Sequence, residues 1–133
     1  MNVSKLQKKL AEKELDAIVL FSPVNIRYFT KFYITDGAAV ITRTDARMFT
    51  DSRYIEAARA QAEEVEVALF DREHRLSALL KDALTGCTAV GAEEGTLSHG
   101  DWQFWEEKLG VMFTPAESIL KELRSIKEPY ELE

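Results

Sequence analysis

Val3, Leu6 and Leu10 recur at intervals of three and four while Lys5, Lys8, Lys9 and Glu12 take the opposite side, a pattern that predicts an amphipathic opening helix ending near Glu14. Asp16 then leads into Ala17-Ile18-Val19-Leu20-Phe21, an apolar run rich in strand formers and bounded by Ser22-Pro23. That run reads as a buried strand. Val24 to Phe32 predicts a short helix with Pro23 suited to its first turn. Ala38 to Thr42 and Arg47 to Thr50 read as two strands joined by a tight connection around Thr44-Asp45, an antiparallel hairpin.

Asp51 or Ser52 is placed to cap a helix whose inner face is Tyr54, Ala57, Ala58 and Ala62. Val65 to Phe70 reads as a strand, and Leu76, Leu79, Leu80 and Ala83 as a helical stripe stopped at Gly86. Thr88 to Gly91 is a brief strand. Ser98 precedes a helix with Trp102, Trp105 and Leu109 on one face, Val111 to Phe113 returns to strand, and Ile119, Leu120, Leu123 and Ile126 form a last stripe. Strands and helices thus alternate, interrupted by one hairpin. The pattern predicts one α/β domain, a mixed sheet of about six strands flanked by helices.

The length of 133 residues fits one core, and 46% hydrophobic with 30% charged residues is the balance of a globular protein. The net charge is −6, with the two signs interspersed, so no basic block attracts nucleic acid or anionic lipid. The charged opening segment is no signal peptide, and no run is long and apolar enough to span a bilayer. A cytoplasmic location is the default expectation.

Catalytic chemistry finds little footing. The six glycines are scattered, so neither a Walker loop nor a dinucleotide fingerprint is present. Cys87 is the only cysteine and reads as a small buried thiol, with no cation near it in sequence. His74 and His99 lie in unrelated segments, His74 at the solvated start of a helix and His99 beside the cap Ser98, so no metal site or triad assembles. The pairs Glu63-Glu64, Glu93-Glu94 and Glu106-Glu107 read as solvated surface. Trp102 and Trp105 read as core packing rather than a ligand-stacking platform. No catalytic and no metal-binding residue is assigned.

One cluster stands apart. Asn25, Arg27 and Tyr28 follow the first strand, Phe32 to Gly37 form an irregular stretch holding Tyr33 and Asp36, and Asp51 to Tyr54 follow a hairpin strand. Loops beyond strand carboxyl ends are where open α/β sheets meet ligands. Structural roles also fit: Asp51 or Ser52 as cap, Asp36-Gly37 as a turn, Tyr28 as core.

Those residues also carry a resemblance. Ser22-Pro23-Val24-Asn25-Ile26-Arg27-Tyr28-Phe29-Thr30, then Asp36-Gly37-Ala38, then Thr50-Asp51-Ser52-Arg53-Tyr54, and last Arg124-Ser125-Ile126-Lys127 resemble, in order and spacing, the landmarks of the creatinase/prolidase N-terminal domain. The resemblance implies a ribonuclease-H-like fold over residues 1–126, with 127–133 opening the linker to a C-terminal catalytic domain. It further implies that the catalytic domain of the peptidases in this family, with two Asp, one His and two Glu around manganese or cobalt, would follow Glu133. This chain then holds no cofactor itself and is expected to be inactive alone.

The implied partners are its own catalytic domain, a second subunit in a homodimer, and the peptide substrate of the parent Xaa-Pro dipeptidase or aminopeptidase P. The implied substrate-access residues are Tyr33, Asp36 and Arg53. Many relatives have Gly where this chain has Lys31. A stand-alone binding or regulatory module of the same fold is the competing expectation. Lys127 to Glu133 restarts a polar-apolar pattern and stops, which reads as a cut, with a frayed natural terminus, or appended vector residues at Leu132-Glu133, left open.

Overall fold

The computed structural model describes residues 2–125. Along them run α1 (Asn2–Glu12), β1 (Ala17–Leu20), α2 (Pro23–Thr30), β2 (Gly37–Thr42), β3 (Ala46–Thr50), α3 (Ile55–Gln61), β4 (Glu66–Leu69), α4 (Leu76–Ala83), β5 (Val90–Ala92), α5 (His99–Leu109), β6 (Phe113–Pro115) and α6 (Glu117–Ser125). The expected Ile126 of the last stripe, and the linker from 127, lie outside the described residues.

The strands form one sheet in the order β4-β3-β2-β1-β5-β6. β1, β2 and β3 make an antiparallel meander, while β5 pairs parallel with β1, β6 with β5, and β4 with β3. This mixed arrangement is of the ribonuclease-H-like type. The unbroken apolar run of β1 follows from burial on both faces: Ile18 and Leu20 join one core cluster, Ala17 and Val19 the other, and all four are fully buried.

The first cluster is closed by α1, α2, α3 and α6 through Leu6, Leu10, Ile26, Phe29, Ala58 and Leu120. The second is closed by α4 and α5 through Leu80, Leu84 and Leu109, with Trp102 and Trp105 half-buried against it. Each fully buried Leu or Phe stabilises the fold by about 1.5–3 kcal/mol. The Trp pair therefore packs, as expected: Trp105 lies 5.0 Å from the Phe21 ring and Trp102 5.3 Å edge-on from Phe113.

Several local expectations need correction. Neither Asp51 nor Ser52 caps α3, which starts after Tyr54 without a side-chain cap. Asp51 Oδ1 instead accepts the Arg53 amide, and Asp51 O the Tyr54 amide, which spends these groups on a turn ahead of the helix. Only Ala58 of the α3 inner face is buried, and Ala57 is exposed. The last strand begins at Phe113 rather than Val111, leaving Met112 82% exposed. His74 sits in a turn before α4, where Asp71 Oδ1 accepts its amide and that of Glu73.

Candidate functional site

β1 and β5 run parallel, so their carboxyl ends lie side by side, and each leads into a polar segment. After β1, Ser22 caps α2 by accepting the Asn25 amide, with Pro23 in the first turn. After β5 comes Glu93, expected at the surface but fully buried. Its Oε1 accepts the amides of Phe21 at 2.6 Å and Ser22 at 3.0 Å, and its Oε2 accepts Asn25 Nδ2 at 2.6 Å.

The crevice where open α/β sheets commonly receive an anion is thus occupied by the protein's own carboxylate. Glu117, also buried, reaches Asn25 Nδ2 at 3.4 Å and accepts the Thr96 hydroxyl. Burial is the main force raising the Glu93 pKa, opposed by its three hydrogen bonds and reinforced by the Glu117 charge. Because N–H donors converge on these oxygens, the pair does not suit a metal ion. Among the described residues no group of three or more His, Cys, Asp or Glu is placed to hold one.

The sequence hid Glu93 because Glu93-Glu94 reads as an exposed pair, and Glu94 is indeed exposed. A signal was present: Glu93 directly follows the apolar strand end Val90-Gly91-Ala92, where the next side chain sits at a sheet edge beside β1. Glu106, also read as surface, is half-buried and accepts the Phe113 amide at 2.7 Å, fastening β6 to α5. Cys87 is half-buried, and burial followed by the nearby Asp16 charge raises its thiol pKa, which disfavours the nucleophilic thiolate.

The three residues singled out for substrate access separate into two places. Arg53 Nη2 meets Asp36 Oδ2 at 2.6 Å and Asp51 Oδ2 at 2.7 Å, joining the loop before β2 to the turn after β3. Bonding to Asp51 and then to Asp36 raises the Arg53 pKa, and Arg53 in turn lowers that of Asp51. Tyr33, 51% exposed, belongs instead to a separate open groove of about 480 Å³ lined by Val24, Arg27, Tyr28, Lys31, Tyr33 and Arg124.

Tyr28 is half-buried rather than full core, and its hydroxyl donates to Leu123 O at 2.9 Å, bridging the two helices that wall this groove. Gly37 ends the loop at φ +146°, and a Cβ there would collide with the Phe49 carbonyl and Ile34. Only glycine fits that start of β2.

With this geometry in hand, comparison defines the class: residues 2–126 match the creatinase/prolidase N-terminal domain, and the chain belongs to that family. It is 28% identical over 137 aligned positions to an uncharacterized peptidase, YqhT, of Bacillus subtilis, covering 99% of this chain and 38% of that protein. It is 29% identical over 133 positions to the Xaa-Pro dipeptidase of Pyrococcus furiosus, covering 98% and 36%. The structure of the Xaa-Pro dipeptidase from Bacillus anthracis superimposes with a TM-score of 0.88 at 26% identity, over 98% of this chain and 37% of that one. The chain thus spans little more than a third of the length of the relatives it matches.

Proposed function

We propose that this chain is the N-terminal accessory domain of a cytoplasmic, metal-dependent Xaa-Pro peptidase, serving dimer assembly and substrate access while a C-terminal domain performs hydrolysis with manganese or cobalt. One observation carries the reading: an end-to-end match to the N-terminal domain family that covers only 36–38% of the matched peptidases. No helix among the described residues is long and apolar enough to cross a membrane, which is compatible with that location.

Within this reading, the loop from Phe32 to Asp36 with Arg53 tunes which peptides are accepted. Arg53 and Asp36 are 56% and 68% exposed, so solvent screens their ion pair and leaves it weak. A peptide ammonium at Asp36 or a carboxylate at Arg53 can therefore exchange with it at small cost, and charge-assisted contacts of that kind discriminate between peptide ends.

The experiment is kcat/KM on Xaa-Pro peptides of increasing length for the full-length protein and its Tyr33→Ala and Asp36→Ala variants. Unequal losses across lengths, with folding and metal content intact, are expected; equal activity on all lengths refutes the role of the loop. Absence of a metal-binding catalytic domain downstream in the full-length protein would favour the stand-alone module.

A further inference from the structure

The groove between α2 and α6 concentrates positive charge on a chain whose net charge is −6. Arg27 and Lys31 project from α2 and its cap, and Arg124 from the last turn of α6. Arg43, Arg47 and Arg53 each stand against an Asp or Glu, whereas Arg59, Arg72 and Arg75 form no ion pair among the described residues but lie outside this groove. Among the described residues neither the Arg27 nor the Arg124 guanidinium has an ion-pair partner.

The walls are held rather than loose. Tyr28 ties them together through Leu123 O and accepts Asn2 Nδ2 at its carbonyl. Lys31 keeps a left-handed φ of +67°, a conformation glycine adopts without steric cost, so a cation stands at the groove rim despite backbone strain. Val24, 60% exposed, and Tyr33 supply apolar surface beside the charges. The volume lies within the range of about 300–1,000 Å³ typical of small-ligand sites.

We propose that this groove binds the free carboxylate of a short peptide, held by Arg27 and Arg124 with Lys31 at the rim, while Val24 and Tyr33 cover an apolar side chain or ring. The choice of a peptide as the ligand rests on the accessory-domain reading. Planar guanidinium groups match carboxylate geometry, and two of them on facing helices favour a carboxylate over an amide.

The probes are glycyl-proline and glycyl-prolinamide, titrated into the 133-residue chain and followed by amide NMR shifts. Saturable binding of the acid is expected, at least about tenfold tighter than of the amide, weakened by salt and by about tenfold in Arg27→Gln or Arg124→Gln. Equal binding of acid and amide, undiminished binding in both variants, or no saturation by the acid would each overturn the assignment. If it falls while Tyr33→Ala and Asp36→Ala still change the length preference of the full-length protein, only the groove is lost and the accessory-domain reading stands.

Discussion

Asn25 Nδ2 donates to Glu93 Oε2 at 2.6 Å across 68 residues of sequence, and both side chains are buried. Through this contact and the Phe21 and Ser22 amides, Glu93 fastens the start of α2 to the end of β5. Since α2 carries much of the groove wall, Glu93 is a positioning residue for that surface.

Removing the Glu93 carboxylate strands three donors in a buried site, so Glu93→Ala is expected to cost about 3–5 kcal/mol in urea unfolding. Glu93→Gln should cost less and carries a pH signature. A raised carboxyl pKa means that the folded state keeps the proton to higher pH than the unfolded chain. Its stabilising contribution is complete below the ordinary value of 4.5 and is lost as pH rises through the folded value. The non-titrating Gln variant lacks this loss, so the stability gap should shift in its favour as pH climbs above 4.5. A gap independent of pH would show that Glu93 does not titrate in this way.

Lys31 ends α2 in a left-handed conformation that costs a non-glycine residue roughly 1–2 kcal/mol. Lys31→Gly removes that strain but adds unfolded-state entropy, for a net stabilisation of about 0.5–1 kcal/mol. A raised Tm checks it; an unchanged or lowered Tm would mean that the contacts of the lysine outweigh the strain.

Trp102 and Trp105 are half-buried and have different ring partners, Phe113 for one and Phe21 with Phe104 for the other. Each Trp→Ala change should cost about 2 kcal/mol, below the roughly 3–5 kcal/mol of a fully buried Trp. Denaturant titration of both variants tests this, and near-zero loss in both would reopen ligand stacking as their role.

The 133-residue chain, assayed alone, should cleave no Xaa-Pro peptide, and added manganese should leave its Tm unmoved, because a ligand stabilises only the state that binds it. Chelator-sensitive cleavage, or a saturable rise in Tm, would reveal a metal site in this chain.

Periodicity alone located all six strands and six helices among the described residues, because burial imposes spacing on apolar side chains. The double-sided burial of β1 and the antiparallel hairpin of β2 and β3 were legible in the sequence, whereas the antiparallel pairing of β1 with β2 was not. Local chemistry was readable at Pro23, in the first turn of α2, and at the cap Ser98, where signal and helix are neighbours in the chain, while the Ser22 cap emerged only in the structure.

Contacts between distant segments were not legible. Glu93 looks the same in sequence whether it faces water or the Phe21 and Ser22 amides, and only the parallel pairing of β1 with β5 brings those groups together. The spacing of Asp51 and Ser52 allows either to cap a helix, yet the approach of Asp36 and Arg53 across 17 residues draws Asp51 into an ion-pair cluster instead. The groove depends on α2 meeting the last turn of α6, a meeting made by Tyr28 and Leu123 over 95 residues. Hydrophobic spacing records which face of an element is buried, whereas a hydrogen bond or charge cluster depends on where two elements meet, and the packing of the whole sheet decides that.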